Sequence, residues 1–505
     1  MGSRTGRRPL RIAGGVFAAL AAAYGVLLLP DPEPPPPPPA QDPAVRAFAW
    51  NQDASWDRLE ERWAHARRAG CGAVAPGVSA GLRELEVRID RLRSGAFAAD
   101  APILAEAEQA VFELGPRVGA CPERLPEYLD AVVRLRDAVK RQSERWSMAD
   151  RATREALYRL LYGGRAAVEE VILQVPPGAA PPALTPGTDE PSATPAASIL
   201  GVKVHSGDIL VSRGGAPISA LIARGNDFPG NFSHIALVHV DAATGVVSIV
   251  ESHIERGVTV STPEDYLRDT KLRIMVLRLR ADLPAIAADP MLPHRAATAA
   301  LENARTRRIP YDFAMDREDA TRLFCSEVAA DGYRRRGVAL WMGLSHISSP
   351  GLQRWLAALG VRHFETLEPS DLEYDPQLRI VAEWRDPDTL RKDHYDSAVT
   401  QAMLDAAVAG APLRYDRWKL PFARVVKGYS VLLNALGAVG PVPKGMSAAA
   451  GLRSSWYAAR HAELRARLER RADQHRAAAG YPPPFWRLVR MAREELEALG
   501  TVRPG

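Results

Sequence analysis

Cysteine is scarce in this chain. Three residues in 505, Cys71, Cys121 and Cys325, are too few for a disulfide scaffold. With no CxxC pair among them, a structural zinc site of the usual spacing is excluded. His234, His239 and His253 lack the helical HExxH spacing, so no metal is expected there, and no cofactor is expected elsewhere. A dominant charge is missing too. The 65 Lys and Arg against 60 Asp and Glu leave only +5, which argues against a nucleic-acid binder with its basic charge on one face. No repeat of fixed period and no cell-wall-binding repeat is present. The hydrophobic fraction of 47% with 25% charged residues is the balance of a chain that buries a core. Its length exceeds one domain of about 100–200 residues.

Long apolar runs are also rare, with one exception at the start. Arg4, Arg7, Arg8 and Arg11 precede an uncharged stretch from Ile12 to Leu29. At 1.5 Å rise per residue this stretch approaches the roughly 30 Å bilayer core. Residues 1–30 are therefore expected to be a cytoplasmic tip and a single transmembrane helix, with the body on the extracytoplasmic, periplasmic side of the cell membrane. A cleaved signal peptide is the competing reading, but Val26-Leu27-Leu28-Leu29-Pro30 offers no small residues for a cleavage site. No cysteine follows that could carry a lipid. Residues 31–43 contain the unbroken Pro34–Pro39 run, a polyproline spacer.

Residues 44–175 follow a helical period. Trp56, Leu59 and Trp63 share a face, as do Leu82, Leu85, Ile89 and Leu92, and Leu125, Leu129, Val132, Leu135 and Val139. A helical bundle is expected, with Cys71 and Cys121 in its connections as candidates for one disulfide or as two buried thiols. Residues 176–197 hold seven prolines in twenty-two positions and read as a disordered linker. From 198 to 395 short runs such as DILVS, HIALVHV, VVSIVES and RIMVLRLR alternate with helical patterns near 294–307 and 320–336, an α+β block. Residues 396–505 return to helix, with many arginines and with Trp418, Trp456 and Trp486. Such a basic amphipathic surface is either the solvated face of a bundle or a peripheral contact with anionic lipid.

Chemistry concentrates in the middle block. Cys325, in Phe324-Cys325-Ser326-Glu327-Val328, stands where a helix begins, a position expected to lower a thiol's pKa. His234 heads a strand in Asn231-Phe232-Ser233-His234-Ile235. If the hairpin turns through four residues, 241–244, then Val240 pairs with Gly245 and His234 faces Glu251. Glu251 could then orient the imidazole. His239, an odd step away, points to the other face, while His253 shares the face of Glu251 and is the rival base. Asp208 reads as a structural cap.

These motifs resemble the NlpC-type hydrolases of the papain-like fold, in rotated order. The order here is Gly207-Asp208-Ile209-Leu210, then Ser233-His234-Ile235-Ala236, then Val250-Glu251-Ser252, and last Phe324-Cys325-Ser326-Glu327. This is similar to the permuted group typified by YiiX and YaeF, with lecithin retinol acyltransferase as a more distant relative. The resemblance covers about residues 200–340. It implies a permuted papain-like domain with an antiparallel sheet, and it carries over Tyr311, in Ile309-Pro310-Tyr311-Asp312-Phe313, as a residue beside the nucleophile. It also implies a cysteine amidase or peptidase-like hydrolase with Cys325, His234 and Glu251 as its triad. The expected substrate is an amide of the cell envelope, such as a cell-wall peptide. An acyl-lipid hydrolase or acyltransferase and an inactive envelope scaffold are the alternatives.

Overall fold

The computed structural model describes residues 18, 21–30, 46–48, 52–436 and 438–500. The Pro34–Pro39 spacer and eight of the eighteen residues of the Ile12–Leu29 stretch lie outside the described residues. Residues 21–27 are helical, but among the described residues no helix is long and apolar enough to cross a membrane. The expected transmembrane anchor is therefore not supported.

The apolar periodicity of the N-terminal region folds as helices Gln52–Ser94, Pro102–Gly119, Leu125–Ser143, Arg151–Leu157 and Gly163–Gln174. Leu85, Ile89, Leu92, Leu125, Leu135 and Val139 are buried in their shared core. The first helix is interrupted at Gly70, whose φ of 74° only glycine adopts readily. Cys71 thus lies inside a helix, just past this kink, and not in a connection. It is disulfide-bonded to Cys121, which ties the kink to the turn after the second helix.

Among the described residues eleven strands follow: β1 (Leu184–Pro186), β2 (Ala196–Ile199), β3 (Val202–His205), β4 (Ile209–Gly214), β5 (His234–Val240), β6 (Val247–His253), β7 (Gly257–Ser261), β8 (Lys271–Leu279), β9 (Ser345–His346), β10 (Glu365–Thr366) and β11 (Leu378–Trp384). Seven form one antiparallel sheet in the order β1-β11-β8-β4-β5-β6-β7, while β2–β3 and β9–β10 are separate pairs. The sheet is a fold of mixed helix and strand consistent with a papain-like domain. Residues 176–197 are not the featureless linker expected from their composition. Thr185 pairs with Glu383, so β1 caps the sheet edge at β11, where proline is tolerated, and β2 packs on β3.

Alternation along the strands gives the sheet two apolar faces. Ile209, Val211, Ile235, Leu237, Val250, Met275 and Leu277 meet helices Leu292–Thr306 and Cys325–Arg334 on one side. Leu210, Ala236, Val238, Ile249, Ile274 and Val276 meet the β2–β3 pair and Tyr266 on the other. Entry to β4 is fixed by Gly207 and Asp208. Gly207 has φ +101° and an added Cβ would lie 2.4 Å from Pro293. Asp208 accepts from His205 N–H at 2.8 Å and from both Nε and Nη2 of Arg278 at 2.8 Å, a structural role.

The helical regions are welded to this sheet. Arg136, Arg154 and Arg165 of the N-terminal helices pair with Glu383, Asp371 and Glu373, all buried. Helix Pro387–Val408 packs where the central strands β4 and β8 end and begin, and its Asp393 pairs with Arg213 at 3.2 Å and Arg273 at 2.6 Å. Helices Leu420–Ala435, Ala448–Ala479 and Phe485–Ala498 complete the chain. Of the three tryptophans of the arginine-rich C-terminal helices, Trp486 is buried and stacks on Trp56 at 6.0 Å, and Trp456 is half-buried. Trp418 alone of the three is exposed.

Candidate active site

Cys325 is the first residue of its helix. The preceding Phe324 is extended, and its N–H donates to the Glu327 carboxylate at 2.8 Å, which closes a turn whose donors would otherwise lack partners. Ser252 Oγ donates to the Leu323 carbonyl at 2.7 Å and fixes the approach to the helix. The thiol is buried, with Sγ 3.9 Å from the Ser233 carbonyl and facing donors at Ile235 and Ser326. Burial pushes the thiol up to about 11 against those donors. Desolvation of the thiolate is the first cause and runs against the lowering expected at a helix N-terminus.

Tyr311 lies on the same side. Burial, then the neighbouring Cys325 and Glu368, push its hydroxyl well above the usual range. Its ring meets Phe313 edge to face at 5.1 Å. Glu368 is a residue that sequence reasoning missed. Its carboxyl is buried, Oε2 has no hydrogen-bond partner, and burial first, then Asp371, drives its pKa well above that of a carboxylic acid in water. A lone glutamate between Leu367 and Pro369 carries no sequence signal that separates it from a solvated loop residue.

His234 and Glu251 do meet, through a register other than the expected one. The loop is longer than four residues, so Val240 pairs with Val247 and Ala236, not His234, faces Glu251. A shift of two residues preserves the face, and Glu251 is long enough to reach its diagonal neighbour. Its Oε2 accepts from His234 Nε2 at 2.7 Å. Its Oε1 accepts from Ser261 Oγ at 2.6 Å and lies 3.2 Å from His253 Nε2. Glu251 therefore serves both histidines, whose rings stack at 5.5 Å, and it is not reserved for His234. Burial raises the Glu251 pKa, but the bonds and charges of the two imidazoles win and hold it well below the carboxylate range. Burial also lowers the His234 pKa, against the Glu251 bond, which favours the neutral ring, and a carboxylate at Nε2 suits the tautomer that keeps its proton there. His239 points the other way and stacks on His294 at 5.2 Å.

Two half-sites result. Cys325, Tyr311 and Glu368 gather on the helix side of the sheet, where Ile235 and Val250 point. His234, Glu251, His253 and Ser261 gather across the strands, because Glu251 alternates with Val250. The thiol touches the backbone on both sides of His234, but among the described residues no hydrogen bond joins it to either imidazole. Cys71, Cys121 and Glu123 cluster far along the chain, and the two sulfurs there are consumed by the disulfide.

No curated protein and no solved structure matches this chain. A family model does, and the family is one of cysteine amidases and peptidase-like hydrolases. It matches residues 203–382, a span that holds every residue of both half-sites, and by this match that part of the chain is similar to the permuted papain-like amidase enzyme, YaeF/YiiX, C92 family.

Proposed function

We propose that the chain is a cysteine hydrolase of amide bonds in which Cys325 is the nucleophile, His234 the base and Glu251 the residue that orients the base. One observation carries this reading: Sγ rests against the peptide groups flanking His234, whose Nε2 is held by Glu251, leaving the Nδ1 lone pair for a proton. Attack needs Nδ1 to come within reach of Sγ while Nε2 stays on Glu251, a movement at the head of β5. His234 is the first residue of that strand, so few dihedrals have to change.

Sγ then bonds to the carbonyl carbon as its proton passes to Nδ1. The oxyanion is held by the Cys325 N–H at the helix start, with the Tyr311 hydroxyl as a second donor. Collapse breaks the C–N bond, and the imidazolium returns its proton to the leaving amine. Water, activated by the same imidazole, cleaves the thioester and restores the thiol. The substrate we propose is an amide of the cell envelope, a reading that rests on the arginine-flanked apolar stretch at residues 4–29.

The test is mass spectrometry of the full chain after exposure to an acyl electrophile. An adduct on Cys325, absent in Cys325→Ser and slowed in His234→Ala, is expected. Failure of Cys325 to label at any pH would favour an inactive envelope scaffold. Turnover of acyl esters of lipids without turnover of amides would favour the acyl-lipid reading.

A further inference from the structure

Helix Leu420–Ala435 turns its apolar residues outward. Its inner contact with helix Ala448–Ala479 is small, made by Leu420 against Ala448 and Ala449. Ser430 is buried where the chain returns past Gly440, and its Oγ accepts from the Val442 N–H at 3.0 Å. The outer side carries Phe422, Val425, Tyr429, Leu432 and Leu436 at steps of three and four, with Trp418 at the near end. Trp418 is 60% exposed and Leu436 75%. From Gly428 to Pro443 no charged residue occurs. A continuous apolar surface of this kind marks an interaction site.

Two further observations say what covers it. The described tip of the N-terminal apolar stretch ends on this helix: the Tyr24 hydroxyl donates to the Trp418 carbonyl at 3.0 Å, and Arg424 Nη1 donates to the Leu27 carbonyl at 2.9 Å. Exposed Val26 and Leu29 extend the same surface. Within residues 414–444 the charge is mostly of one sign, Arg414, Arg417, Lys419, Arg424, Lys427 and Lys444 against the single acid Asp416, which pairs with Lys419 at 2.6 Å. A second copy of the chain would set these cations against each other across an isologous contact. Anionic headgroups would pair with them.

We propose that this face lies on an anionic lipid bilayer, with its aromatic and aliphatic side chains at headgroup depth and its Lys and Arg on lipid phosphates. The helix lies in the plane of the surface, which requires no membrane-spanning length. This inference is independent of the catalytic reading.

The test uses the full chain and phosphatidylcholine vesicles, some brominated, with and without phosphatidylglycerol. Bromine should quench tryptophan fluorescence in the unmodified protein, and Trp418→Phe should remove most of that quenching when the two proteins are compared at equal bound fractions. Phe422→Glu with Leu432→Glu should weaken binding at least about tenfold with no change in melting temperature, since both side chains are exposed. Arg414→Glu with Arg417→Glu should weaken binding about tenfold on phosphatidylglycerol vesicles only. Quenching that survives Trp418→Phe, or binding untouched by the glutamate pair, would assign vesicle attachment to another part of the chain and overturn the proposal. Self-association abolished by Phe422→Glu, without vesicle binding, would assign the face to a second copy and overturn it equally.

Discussion

A thiol with its pKa near 11 is about 1 in 10⁴ ionised at pH 7, so Cys325 at rest is a weak nucleophile. Its alkylation rate should therefore climb about tenfold per pH unit from pH 7 toward 11. Stopped reactions with iodoacetamide, resolved by mass spectrometry of the Cys325 peptide, measure this. A plateau below pH 8 would mean that a thiolate–imidazolium pair already exists. Turnover of an accepted amide should be abolished in Cys325→Ser, by about 10³-fold or more, with an unchanged melt. The two histidines on Glu251 divide the base assignment. His234→Ala should cost about 10²–10⁴-fold in turnover and His253→Ala little, and the reverse order would hand the role to His253. Glu251 also carries a stability signature. Its folded pKa is depressed, so its contribution is present above the unfolded carboxylate pKa and is lost as pH falls through the folded one. Glu251→Gln should remove part of the acid-side fall in melting temperature below about pH 4.5, read as the difference between the two proteins.

At the scale of elements, the tight approach of Gly207 to Pro293 makes the start of β4 intolerant of any side chain. Gly207→Ala combines a positive φ with a Cβ 2.4 Å from Pro293 and should cost about 2 kcal/mol or more, measured by denaturant unfolding. The same element shows what could be read from sequence. The runs DILVS, HIALVHV, VVSIVES and RIMVLRLR became β4, β5, β6 and β8 because β-branched residues bounded by turns favour a pleated, buried surface. Parity was legible as well: His234 and Glu251 share a face under either register, since the loop differed by two residues and not one. The loop length itself was not legible, because Asp241, Thr244 and Gly245 suit turns of several sizes. Neither was the side of the sheet taken by helix Cys325–Arg334. That choice depends on Ile235, Leu237 and Val250 packing against Val328 and Tyr333, which no local pattern encodes. For the same reason β1, three residues in a proline-rich segment, became visible only once Glu383 and Ala382 stood ready to pair with it.

Across the whole molecule the middle block does not stand apart from the helices around it. Arg165 shows why. It sits in helix Gly163–Gln174, fully buried, with its guanidinium on the Glu373 carboxylate, 3.3 Å from Asn231 Oδ1, 3.8 Å from Glu169 and 5.1 Å from the centre of the Phe232 ring. Asn231 and Phe232 lead directly into His234, so the bundle helps hold the turn that presents the proposed base. Two ions removed from water are worth little as a pair compared with a well-packed apolar substitute, but a single partner left behind is costly. Arg165→Met should therefore destabilise the full chain by about 3–5 kcal/mol, because Glu373 would remain buried and uncompensated. Adding Glu373→Gln should recover most of that loss, since an amide in the same space is neutral. Thermal or urea unfolding of the two single variants and the double variant closes the cycle. Additive losses would show that the pair is not coupled. A recovered double variant would establish that the helical bundle and the papain-like sheet meet through a charge contact whose value lies in its completeness, and its turnover would report whether the head of β5 is still held in place.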